Sequence, residues 1–211
     1  MKSRSLVLFI TTLVFLSIHQ LGLANSQLDE MRSQAEQGNA SAQGALCRMY
    51  YQGEGVSQDY HESLKWCREA ALQGNAEAQG NLGQMYYWGY GVARDYKEAV
   101  KWLRKLSEQG NMAAQFCLGV MYYEGQGVAR DYTEAVKWYW KSADQGFPNA
   151  QHNLGLMYYS AKGVPVDYVE AEKWARKAAL QGITEEKCLF NQAMRNKKGA
   201  VQNSAAGENL S

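Results

Sequence analysis

A 36-residue unit is written four times in succession, from Asn39 to Gly74, Asn75 to Gly110, Asn111 to Gly146 and Phe147 to Gly182, with no slip of register. Every unit closes on Gln-Gly (Gln73-Gly74, Gln109-Gly110, Gln145-Gly146, Gln181-Gly182), and Gln37-Gly38 closes a half unit ahead of the first. One such unit cannot bury its own apolar face, so the copies must stack on one another. Stacked copies present an extended surface rather than an enclosed pocket, which directs attention to macromolecular partners.

Each unit reads as two helices. In the second copy Ala78, Leu82, Met85 and Tyr86 form an apolar stripe at helical spacing. Asn75 can cap its start, and Gly89 and Gly91 supply the left-handed conformation on which helices commonly end. The second helix opens on Asp95 with Glu98 three residues later, a capping-box variant that returns as Asp59/Glu62, Asp131/Glu134 and Asp167/Glu170. Gly83, Gly119 and Gly155 sit inside first helices, where glycine costs ~1 kcal/mol against alanine. Their recurrence predicts a close helix crossing there, with small Ala99, Ala135 and Ala171 opposite. In the first copy Cys47 and Ser63 take these places.

The pattern A-x-x-x-L-G-x-M-Y-x-x-G-x-G-V-x-x-D-Y-x-E-A-x-K-W-x-x-K-x-x-x-Q-G strongly resembles the Sel-one-like repeat, a longer-looped relative of the tetratricopeptide repeat. The resemblance covers residues 39–182 and implies an all-α, right-handed α-solenoid of stacked helix–turn–helix repeats, about four full units plus half-unit caps. It also implies a bacterial member that binds proteins or peptides and rarely carries chemistry itself. The chain departs from the pattern at three points. Cys47 replaces a glycine, Ala161 replaces the first loop glycine and is expected to reshape its loop slightly, and Trp140 stands where the other units carry Arg68, Arg104 and Arg176.

Around the repeats, residues 1–24 read as a secretory signal peptide: basic Lys2 and Arg4, a short apolar run from Leu6 to Ile18, and small residues before the expected mature start at Asn25. The run is too short for a spanning helix, so no stable membrane insertion is expected after cleavage. Residues 25–38 read as an N-terminal capping helix, 39–74, 75–110, 111–146 and 147–182 as repeats, 183–194 as a C-terminal capping helix and 195–211 as a disordered tail. Cleavage takes 22 basic residues to 20 against 21 acidic ones, a net charge of about −1, unlike the basic footprint of a nucleic-acid binder. An exported chain permits disulfides, and its four cysteines allow three pairings. Cys47 and Cys67, on the two helices of one unit and flanking its turn, are the expected pair. Cys117 and Cys188, about two units apart, are expected to be free buried thiols unless they bridge to another chain.

Sites with chemistry are scarce. The G-x-G-V segments lack the strand and third glycine of a nucleotide fingerprint and read as turns. His61 and His152 have no nucleophile or carboxylate visibly arranged with them, so neither catalysis, a metal site nor a cofactor is expected. The tyrosine after each core tyrosine also recurs, as Tyr51, Tyr87, Tyr123 and Tyr159, about 100° off the core stripe. Matched to the tetratricopeptide pattern, this position falls on a concave inner face. Neighbouring side chains there differ between copies: Arg48, Trp88, Phe116 and His152.

An invariant tyrosine ladder flanked by varied residues suits recognition of another protein or peptide segment, since tyrosine, tryptophan and arginine dominate binding hot spots. The alternative for the tyrosines is contact between repeats alone. The expected function is therefore an exported, periplasmic or secreted, non-enzymatic adaptor or regulator, with Arg48, Tyr51, Tyr87, Trp88, Phe116, Tyr123, His152 and Tyr159 facing the partner. Two other readings are a binder or hydrolase of β-lactam-like cell-wall compounds, as implied by cysteine-rich relatives, and a module that polymerises through its ends.

Overall fold

Asp59, Asp95, Asp131 and Asp167 each accept hydrogen bonds through the side chain from backbone amides two or three residues on, and each starts a helix. The same aspartates donate their own backbone N–H to the carbonyls of Tyr50, Tyr86, Tyr122 and Tyr158, at 2.8–3.1 Å, closing the loop that joins the two helices of a repeat. Local chemistry thus sets both the helix start and the return of the chain. The computed structural model describes residues 26–182. Among them are nine helices and no strand: α1 over residues 26–36, α2 Ala40–Gln52, α3 Tyr60–Leu72, α4 Ala76–Trp88, α5 Tyr96–Glu108, α6 Met112–Glu124, α7 Tyr132–Asp144, α8 Pro148–Ser160 and α9 Tyr168–Ala179. The chain is an all-α solenoid of stacked helix pairs. The signal peptide, Cys188, the C-terminal capping helix and the tail read from the sequence lie outside the described residues.

The helices form two compact units that part within α4, after Asn81. In the first, Leu46, Cys47, Cys67, Ala70 and Ala78 are fully buried. In the second, Leu82, Met85, Leu118, Met121, Leu154 and Met157 make the equivalent core. Buried glutamines tie successive repeats together. Gln43 donates to the Ala35 carbonyl, Gln79 to Ala71, Gln115 to Ser107 and Gln151 to Ala143, at 2.9–3.3 Å, each a second donor to a carbonyl that already accepts the closing glycine's N–H at the end of the preceding helix. The glutamine of the closing Gln-Gly then donates to the same side chains: Gln73 to Gln43, Gln145 to Gln115 and Gln181 to Gln151. A second strut runs from Arg32 to the Tyr50 hydroxyl and from Arg104 to that of Tyr122. Trp140 occupies the corresponding place ahead of Tyr158 and is 47% exposed.

The mid-helix glycines do mark close crossings, but the partner differs from the expected alanines. A Cβ on Gly83 would meet the Leu103 side chain at 2.9 Å, with the Ala99 carbonyl farther off at 3.8 Å, and one on Gly119 would meet the Tyr139 ring at 2.6 Å. Gly155, facing smaller Ala175, approaches backbone instead: the Ala171 oxygen at 3.2 Å and the Ala175 nitrogen at 3.4 Å. The contact in two repeats is therefore small against large, one turn beyond the alanine. In the first repeat Cys47 and Cys67 fill these same two positions and are joined in a disulfide. Cys117 is a free thiol, and it is exposed rather than buried, because it lies one residue before the core Leu118 and off the apolar stripe.

Ala161 does not reshape its loop. It takes the left-handed conformation, φ 55° and ψ 32°, that Gly53 and Gly125 adopt at the equivalent helix ends. A side chain there is strained by about 1–2 kcal/mol. Ala161→Gly is accordingly expected to stabilise the fold by roughly 1 kcal/mol after the added freedom of the unfolded chain is deducted. A higher urea midpoint with an unchanged slope would report it; a lower midpoint would contradict the strain.

Candidate functional site

The recurring tyrosines are held by their own repeats. Tyr51 packs on Tyr60, Tyr87 on Tyr96, Tyr123 on Tyr132 and Tyr159 on Tyr168, with ring centres 5.2–5.8 Å apart. Each ring therefore seals the joint between the end of one helix and the start of the next, an arrangement aromatic pairs favour beyond simple burial. Two of them also reach the following repeat's loop: the Tyr87 hydroxyl donates to Gln126 Oε1 at 3.0 Å, and Lys162 Nζ donates to the Tyr123 hydroxyl. Their recurrence has a packing cause, and all four remain half-buried.

The varied positions divide in two groups. Arg48, in the first unit, pairs with Glu54 at 3.3 Å and Glu77 at 3.6 Å. Phe116 in the second unit packs on Phe147 and Tyr139, with ring centres 5.2 and 5.9 Å away. Phe147 stands where earlier repeats carry the capping asparagine, and it makes no side-chain cap; Pro148 follows it as the first helical residue. In the first repeat the same contact is Gly44 against Asn75, so close that a Cβ on Gly44 would lie 2.5 Å from the amide nitrogen. The Gly–Asn pair has become a Phe–Phe pair, and most of Phe116 is spent on the fold. Trp88 is different: it touches Tyr87 edge-on at 4.8 Å yet is 61% exposed.

A cavity of about 270 Å³ opens between α6 and α8. Val120, Leu156, Met157 and the Tyr139 ring give it apolar walls, while Glu124, Ser160 and Lys162 stand at its polar side with Tyr123 and Asn153. Burial pushes the Tyr139 phenol well above its ordinary pKa, and its hydroxyl is hydrogen-bonded to Asn153, so it stays neutral. The hydrogen bond to Tyr123 raises Lys162, which keeps its charge. Of the residues singled out in the sequence, Tyr123 lines this cavity; His152 and Tyr159 share α8 but lie outside the lining. Lys162 sits in a loop, where only its replacement of Gln126 one repeat earlier marks it in the sequence. Among the described residues no group of three or more His, Cys, Asp or Glu is placed to hold a metal, and no helix is long and apolar enough to cross a membrane.

The family model of the Sel1 repeat matches residues 40–75, 76–111, 113–147 and 148–183, most of the chain. The chain belongs to the Sel1 repeat family. Proteins with Sel1 repeats generally act as scaffolds that bind other proteins rather than as catalysts. Among solved structures, this Sel1 chain is similar to a protective antigen of uropathogenic Escherichia coli with an SLR fold, at 42% identity and a TM-score of 0.71 over 75% of this chain and 34% of that one. It is also similar to a Sel1 repeat protein from Oxalobacter formigenes, at 36% identity and a TM-score of 0.69 over 78% of this chain and 48% of that one. The chain thus spans about a third and about half of those two proteins. The comparison with curated proteins found no match.

Proposed function

We propose that this Sel1 repeat protein is an exported adaptor, periplasmic or secreted, that holds an extended segment of another protein against the face carrying Trp88, α6 and α8. The observation that carries the reading is Trp88, a large aromatic 61% exposed on a face whose other aromatics are half-buried. Solvated tryptophan on a rigid helix is a low-entropy anchor of the kind that dominates protein interfaces. The cavity between α6 and α8, at about 270 Å³, is slightly below the roughly 300–1,000 Å³ usual for small-molecule sites. Its apolar walls beside a polar rim suit a side chain of a longer segment. The recurring tyrosines frame this face rather than read the partner. Export is supported by the basic start and short apolar run before Asn25, and it accords with the antigenic role stated for the E. coli relative.

The test is capture from the exported fraction with wild-type chain, Trp88→Ala and Glu124→Ala as baits. Both residues are exposed, so the variants should keep the wild-type circular dichroism and melting curve. Trp88→Ala is expected to weaken capture about thirtyfold, roughly 2 kcal/mol. Equal capture by all three baits would refute the reading.

A further inference from the structure

In both joints between repeats of the second unit a recurring tyrosine hydroxyl meets the next repeat's loop, but the residue it meets differs. Where the Tyr87 hydroxyl meets neutral Gln126, the Tyr123 hydroxyl meets the ammonium of Lys162. That ammonium is fixed in place: it lies 4.8 Å from the centre of the Tyr123 ring and 5.6 Å from that of Tyr132. Its loop is seated in turn, because Gly163 presses on the Tyr132 carbonyl so closely that an added Cβ would come within 2.3 Å of it. Its one hydrogen-bond partner among the described residues is a neutral phenol; the charge of Glu124 at the same rim reaches it, but the two form no ion pair. An ammonium has three donors, so two remain to be satisfied from outside. Below it, Val120, Leu156 and Met157 present apolar walls.

From this geometry we infer that the cavity between α6 and α8 is a subsite for a partner segment that carries an apolar side chain next to a carboxylate. This rests on the adaptor reading above and specifies the partner's chemistry. The apolar side chain fills the 270 Å³ cavity, and the carboxylate of an adjacent Asp or Glu accepts from Lys162 Nζ. Glu124, at the same rim, repels an acid on its own side and accepts a backbone N–H, which fixes the direction in which the segment runs. The preceding joint, with Gln126 in place of the lysine, has no such preference.

The experiment is selection of phage-displayed random linear peptides on the full-length chain and on Lys162→Gln, which recreates the Gln126 joint. Wild type should enrich Leu, Ile, Met or Phe beside Asp or Glu. The variant should keep the apolar preference and lose the acidic one. A selected acid-bearing peptide should bind Lys162→Gln about fivefold more weakly, with the difference shrinking at high salt. Apolar peptides with no acidic preference, or an acidic preference that survives in Lys162→Gln, would overturn the inference while leaving the adaptor reading standing. No enrichment at all would sink that reading and the inference with it. Sedimentation of the same samples covers the remaining occupant: a dimer that Lys162→Gln dissociates would assign the cavity to a second copy and overturn the proposal.

Discussion

Gly127→Ala is expected to cost about 3–4 kcal/mol of stability and to lower the melting temperature by roughly 10 °C. Two effects coincide at this residue. Its φ is +71°, a conformation that strains any side chain, and a Cβ would fall 2.2 Å from the Tyr96 carbonyl oxygen and 2.4 Å from its carbon. Backbone cannot swing aside as a side chain can, so the loop must lift off the start of α5. Gly146 separates the two effects. Its φ is +93° but nothing lies within 4 Å of the added atom, so Gly146→Ala should cost only the conformational part, about 1–2 kcal/mol. Urea midpoints of the two variants measure the difference. Values within ~0.5 kcal/mol of each other would mean that the loop is not seated on the preceding repeat.

Loss of the Cys47–Cys67 disulfide is the other large effect. The two residues are 20 apart in sequence, and a closed loop of that length is worth about 3 kcal/mol. Cys47→Ala with Cys67→Ala should therefore lower stability by about 3 kcal/mol, and reductant should destabilise the wild type but not the double variant. The equivalent contact one repeat later is Gly83 against Leu103. Replacing the pair by Cys47→Gly and Cys67→Leu should restore about 1 kcal/mol through packing, leaving the order wild type, Gly/Leu, Ala/Ala in thermal melts. A Gly/Leu variant less stable than Ala/Ala would show that the first repeat has a different helix spacing from the second.

Much of this architecture is readable in one sequence because its determinants are local. The aspartate caps, the left-handed helix ends and the apolar stripes each act within a few residues, and the period carries them along the chain. What could not be read by eye is where a half-buried side chain meets the next helix. Tyr51 and its repeats point away from the core stripe of their own helix, which is all that periodicity reports; the ring that covers them belongs to Tyr60 and its repeats, brought there by the returning loop. The replacement of Gly44 and Asn75 by Phe116 and Phe147 was present in the sequence as a paired change between copies. Its meaning needed the contact. Lys162 was legible only as a difference from Gln126, and the cavity below it not at all, since no spacing rule predicts a void.

The glutamine bridges have a consequence for how such chains change length. Gln145 finds Gln115 and Gln181 finds Gln151 at the same offset of 30 residues, and each bridge is indifferent to which copy it joins. Duplicating or excising one whole repeat in frame preserves that offset, whereas inserting a single residue alters it for every glutamine, arginine and loop contact that spans the insertion. Growth by whole modules is therefore easy and growth by fractions is forbidden, a genetic ratchet enforced by hydrogen bonds.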